Sequence, residues 1–115
     1  MHELSIVESL IEQVEKEVVG SGHEGRILRL DLIVGRLSGA NADSIRFAFE
    51  LLSRETPLAE AELRISEPRA VCCCEDCFAR REIDELVAFC PECGSGRISF
   101  HGGQDLLLES IELED

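Results

Sequence analysis

Apolar and polar positions fall in two different rhythms along this chain. From Glu3, apolar residues recur at Leu4, Val7, Ile11, Val14 and Val18, with Ile6 and Leu10 widening the stripe. That spacing matches the repeat of about 3.6 residues of a helix with one buried face, sustained for roughly four turns. Gly20, Ser21 and Gly22 mark its end, as glycines past a last turn commonly do. The run RILRLDLIVG alternates instead, with Leu28, Leu30, Leu32 and Val34 on one face and Arg29 and Asp31 on the other. Alternation of this kind predicts a strand with one face buried. Residues 35–40 turn the chain, and Asn41 or Asp43 can cap a second helix whose inward face carries Ile45, Ala48, Phe49 and Leu52. After Thr56 and Pro57 a second strand is expected, with Ala61, Leu63 and Ile65 inward and Glu60, Glu62 and Arg64 outward. Pro68 closes it.

From about residue 70 the helical rhythm stops, and all six cysteines fall between Cys72 and Cys93. Past Gly102 and Gly103 the segment DLLLESIEL returns to a strand-like pattern, with Leu107, Ile111 and Leu113 apolar. A last strand that rejoins the first two makes the cysteine segment an insertion between strands of one sheet. The expected fold is therefore α+β: a small sheet of about three strands packed with two helices, plus an inserted zinc-ribbon-like domain. The expected division is residues 1–69 and 104–115 for the α/β domain and residues 70–103 for the insert.

The chemistry is densest in that insert. CEDC is followed after twelve residues by CPEC, so that Cys74, Cys77, Cys90 and Cys93 form two CxxC pairs. Each pair comes from a tight turn, and four thiolates can converge tetrahedrally on one Zn²⁺. Gly94 lets the second turn curl its backbone N–H groups toward the sulfurs, whereas Phe78 stands in the same place after the first. A redox CxxC would expect a thioredoxin-like βαβ context, which the pattern lacks. Cys72 and Cys73 offer themselves as substitutes for Cys74. The CxxC spacing favours Cys74, with Cys72 read as a small apolar residue on a strand face and Cys73 as a spare thiol. His101 is within reach as a ligand in principle, but four thiolates already close the site, so it is read as a surface histidine. A closed four-thiolate site has no open position for substrate, which makes the zinc structural, and ligation would replace a core in an insert with few large apolar residues.

Charge narrows the partners. Eleven basic residues stand against 24 acidic ones, a net charge of −13. Nucleic acid and anionic membrane surfaces attract proteins mainly through Lys and Arg, so neither is an expected partner. No stretch approaches the roughly 18 apolar residues that span a bilayer, and the start lacks a basic n-region. The expected compartment is the cytoplasm, where six cysteines serve as thiols or metal ligands rather than as disulfides. No phosphate loop, GxSxG or acid–base pair is apparent, and the chain is not expected to be an enzyme.

The start, MHE, carries a second metal chemistry. A chain amine, a backbone amide and the His2 imidazole lie within a few ångströms by covalent necessity. Such nitrogen donors suit the planar field that Ni²⁺ and Cu²⁺ favour. The plain alternative is that His2 is only a histidine and that Glu3 complements a helix dipole.

Taken with the zinc motifs, MHELSIVESL, LSGANADSIRFAFE and the closing LLLESIELE resemble the HypA/HybF family of nickel metallochaperones along essentially the whole chain. The resemblance implies an accessory protein that helps to deliver Ni²⁺ to the large subunit of [NiFe] hydrogenase. It implies a HypB-type GTPase as partner and, in some organisms, service to urease through its accessory proteins. It implies a nickel site at the Met1 amine, His2 and Glu3, and zinc ligands at Cys74, Cys77, Cys90 and Cys93. Cys72, Cys73 and the strongly acidic balance depart from the pattern without removing a ligand. An acidic zinc-ribbon adaptor that binds no nickel is the alternative. Whether the working form is a monomer or a homodimer is left open.

Overall fold

A computed structural model of the chain describes residues 3–22 and 25–114. Its elements are α1 (Glu3–Gly20), β1 (Ile27–Val34), α2 (Ala42–Leu52), β2 (Glu62–Ser66), β3 (Ala70–Cys74), β4 (Arg80–Ile83), β5 (Ile98–His101) and β6 (Leu106–Leu113). They build two three-stranded sheets, ordered β2-β1-β6 and β4-β3-β5.

In the first sheet β1 is central. It pairs parallel with β2, a geometry that requires a crossover, and α2 supplies it. On its other side β1 pairs antiparallel with β6, so the last strand does rejoin the first two. Both helices pack over one face, where Val7, Leu10, Ile11, Val14, Ile27, Leu30, Leu32, Val34, Ile45, Ala48, Phe49 and Leu58 form a single buried cluster. Asn41 is the N-cap of α2, its side chain accepting a hydrogen bond from the Ser44 amide. The sheet's other face is polar: Arg29 bonds Asp31 and Glu112 at 3.1 and 3.0 Å, and the Ser110 hydroxyl donates to Asp31 at 2.7 Å.

Three apolar positions differ from the pattern. Leu28, expected inward with Leu30, is exposed while Ile27 is buried. The β1–β6 register shifts between Ile27 and Arg29, and a bulge of this kind reverses which side chain faces the core. A second shift between Asp31 and Leu32 leaves Glu109 without a paired residue. Leu108 therefore joins Ile111 and Leu113 against the core, and Leu107 turns outward. Leu4 is half exposed at the first turn of α1.

The second sheet lies between β2 and β6 in sequence and is formed by β3 with β4 and β5 on its two sides, both antiparallel. Its core is slight: Ala70, Cys72 and Ile83 are buried, with Leu37, Val87, Ile98 and Phe100 packed against them. Leu37 belongs to the turn after β1, so one side chain of the first unit closes the core of the second. That turn is stitched to both connecting segments. The Gly35 amide donates to Asp105 O at 2.7 Å, Arg36 to Pro68 O at 3.0 Å and Leu37 to Gly103 O at 2.6 Å. The approach is close enough that a Cβ on Gly35 would clash with the Gly103 carbonyl. Asp84, just after β4, receives Arg36 at 3.0 Å and Arg69 at 2.8 Å. Among the described residues, no helix is long and apolar enough to cross a membrane.

Candidate metal centres

Cys74 ends β3, and the chain turns immediately so that Cys77 comes back beside it; Cys90 and Cys93 repeat the turn in the segment between β4 and β5. The four Sγ atoms all lie within 4.8 Å of one another, the one such cluster among the described residues. Two contacts cross between the turns, Cys74–Cys93 and Cys77–Cys90, both at 3.6 Å. Tetrahedral zinc at about 2.3 Å from each sulfur requires S···S separations of roughly 3.8 Å, so the cluster has the right size.

The backbone prepares the sulfurs for charge. Cys74 Sγ accepts from the amides of Asp76 at 3.3 Å and Cys77 at 3.4 Å, and Cys90 Sγ accepts from Glu92 at 3.3 Å. The Cys77 amide is the main cause that holds the Cys74 thiol below its ordinary pKa, and the Cys93 amide does the same for Cys90. At Cys77 the Ala79 amide pulls the same way, but burial and the three neighbouring thiols prevail and push it up to about 12. Cys93 is likewise raised, against the pull of the Ser95 amide. Without a cation only part of this set ionises readily. A divalent metal is the natural counter-charge for the rest.

Turn geometry explains where the amides point. Gly94 has φ +79°, and Phe78 at the equivalent place after Cys77 has φ +61°, although a bulky side chain disfavours that region. Phe78 thus performs the turn that glycine performs in the other half, and the residue is 81% exposed.

The remaining thiols separate cleanly. Cys72 is buried in the small core, and burial is the first cause that raises its pKa, which keeps it a neutral apolar group. Cys73 faces the other side of β3 and is half-buried. His101 is exposed at the end of β5, its Nε2 3.2 Å from Ser99 Oγ, and lies outside the four-sulfur cluster.

Met1 and His2 lie outside the described residues. Glu3 opens α1, and its carboxylate accepts the Asn41 amide at 3.0 Å. The start of α1 is thereby tied to the N-cap of α2, two helix N-termini meeting around one carboxylate. Local patterning offers Asn41 or Asp43 as the cap, and the structure uses Asn41. The pattern carries no sign of the Glu3 contact, because the partners are 38 residues apart in sequence.

A helix-backed sheet joined to a cysteine ribbon, with a closed cluster of four sulfurs, defines a small metal-handling α+β protein. The family model described as "Hydrogenase/urease nickel incorporation, metallochaperone, hypA" matches residues 1–113. The chain is 40% identical over its whole length to the hydrogenase maturation factor HypA of Chlorobium limicola, covering 98% of that protein. It is 41% identical to that of Syntrophus aciditrophicus, covering 99% of this chain and 100% of that one. The solution structure of the Ni metallochaperone HypA from Helicobacter pylori aligns with a TM-score of 0.63 at 26% identity, covering 98% of this chain and 97% of that one. A second HypA solution structure aligns at 0.67 with 27% identity, covering 99% and 97%. The chain belongs to the HypA family of metallochaperones for nickel incorporation into hydrogenase.

Proposed function

We propose that this chain binds Ni(II) through the Met1 amine, His2 and Glu3, passes it to the large subunit of [NiFe] hydrogenase, and keeps its fold with a structural zinc on Cys74, Cys77, Cys90 and Cys93. In this reading residues 1–69 and 104–115 are the nickel-binding domain, and residues 70–103 are the zinc-binding domain. A HypB-type GTPase is the partner in delivery, and urease is a second possible client. The observation that supports it most is the pairing of a whole-chain family match that includes MHE with a separate, closed four-sulfur cluster. A zinc site closed by thiolates leaves nickel to a different set of donors.

The Glu3–Asn41 bond supports the nickel half of the reading. It fixes the residue next to His2 at the meeting of two helix N-termini. Their partial positive charge favours proton loss from nearby nitrogen donors, and the carboxylates of Glu3 and Asp43 offset the repulsion that a cation would meet there. An amine of ordinary pKa about 7.7–8.0 and an imidazole of about 6.5 both compete with protons near neutrality. Nickel is therefore held weakly enough to pass on and is released as pH falls.

The test is maturation itself. In cells that lack their own HypA, this chain should restore nickel to the hydrogenase large subunit, measured by metal analysis of the purified subunit. His2→Ala, and a chain extended by one residue before Met1, should leave that subunit nickel-free. Equal nickel in all three would overturn the reading. Urease nickel measured in the same cells decides the second client.

A further inference from the structure

The segment that carries Cys90 and Cys93 runs between β4 and β5 without regular structure. It rests on the slight core around Ala70, Cys72 and Ile83, and Arg81 of β4 pairs with Glu92 inside the second CxxC. Something besides the metal must hold the second turn opposite the first, or the four sulfurs would not be preset at zinc spacing.

Asp76, inside CEDC, makes that connection. Its carboxylate receives the Ser95 hydroxyl on Oδ2 and the Arg97 guanidinium on Oδ1 at 2.8 Å. Ser95 is in turn the hub of the second turn. Its carbonyl accepts the Cys90 amide at 2.7 Å, its hydroxyl accepts the Arg97 amide at 3.0 Å, and its own amide serves the Cys93 sulfur. The Glu75 amide closes the loop on Arg97 O at 2.9 Å. Asp76 also donates its amide to Cys74 Sγ at 3.3 Å. One residue thus supports a sulfur of its own turn and grips the hub of the other. Its grip is a charge-assisted pair of hydrogen bonds, the stronger kind.

We propose that Asp76, acting through Ser95 and Arg97, is a positioning residue that latches the two cysteine turns together and sets how fast the site gives up zinc. The proposal rests on the four cysteines being zinc ligands. Loss of one sulfur from the metal leaves the turns apposed while the latch holds, so rebinding outruns escape. Residues that orient metal ligands from outside typically change metal retention by about 10–100-fold.

The test measures zinc transfer from the zinc-loaded full-length protein to an excess of a chromophoric chelator at neutral pH. Zinc content is determined beforehand, and helix content is followed by circular dichroism. Asp76→Ala should lose zinc at least about tenfold faster, and Asp76→Asn, which keeps the Ser95 bond but not the charge on Arg97, should fall between it and the parent. Glu82→Ala removes a carboxylate from the neighbouring β4 without touching the latch, and should stay within about twofold of the parent. Failure of Asp76→Ala to load zinc while its helices persist is the same result in the extreme. Equal rates for Asp76→Ala and the parent would overturn the latch, as would an equal acceleration by Glu82→Ala. A parent protein with less than one zinc per chain would instead overturn the ligand assignment on which the latch depends.

Discussion

The two sheets of this molecule are each three-stranded, yet they are held by different physics. The first has two helices over it and a cluster that includes the fully buried Leu30, Ile45, Leu58, Val7, Val14 and Val34. The second has Ala70, Cys72 and Ile83, helped by a leucine on loan from the first. At about 25 cal/mol per Å² of apolar surface, the first can stabilise itself and the second cannot. Where burial runs short, four thiols stand at metal spacing. The lesson is that composition of a core, and not strand count, decides which part of a small protein needs a metal.

Removing zinc should break the comparison most widely. Structural zinc contributes about 10–16 kcal/mol in zinc-finger peptides, far more than three small buried residues supply. In Cys93→Ser, or after chelation, amides of β3, β4 and β5 should lose protection from hydrogen exchange while those of α1, β1 and α2 keep it. Uniform loss across the chain would show one cooperative unit.

The converse is a cavity in the first core. Leu30→Ala should lower stability by about 2–5 kcal/mol in denaturant titrations read at the helices, with zinc content unchanged. Phe78→Gly should act in the opposite direction and more weakly. Leaving the left-handed region to glycine relieves about 1–2 kcal/mol, less the roughly 0.5–1 kcal/mol of freedom that glycine loses on folding. The residue is mostly exposed, so little burial is lost. A slightly higher denaturation midpoint for the β3–β5 region is expected, and a lower one would mean that the ring packs on something.

The smallest effect concerns the polar face of the first sheet. The Ser110 hydroxyl, opposed by partial burial and aided by Arg29, holds the Asp31 carboxyl below its ordinary value of 3.8. A depressed carboxyl contributes stability above its unfolded pKa and loses it as pH falls through the folded one. Asp31→Asn should therefore be less stable than the parent at neutral pH, and the gap should shrink in acid below that ordinary value. A gap constant with pH would exclude the carboxylate's charge as its cause.

How much of this was legible in the sequence follows the same division. The helix rhythm from Val7 to Val14, the alternation from Leu30 to Val34 and the two CxxC pairs are local signals, and each led to the right element or cluster. Leu28 and Leu107 misled because a bulge reverses facing without any mark in the residues themselves. The second sheet was hidden because its strands are four or five residues long, too short to show a period. Contacts between distant residues, Glu3 with Asn41 or Arg36 with Asp84, leave no local trace at all.

The central claim is that nickel and zinc occupy separate donor sets. It is tested most directly by calorimetric titration of Ni²⁺ into zinc-loaded protein with its native amino terminus, beside His2→Ala. One nickel bound by the parent and none by His2→Ala, with equal zinc in both, is the predicted result. Equal nickel uptake by the two proteins would contradict it.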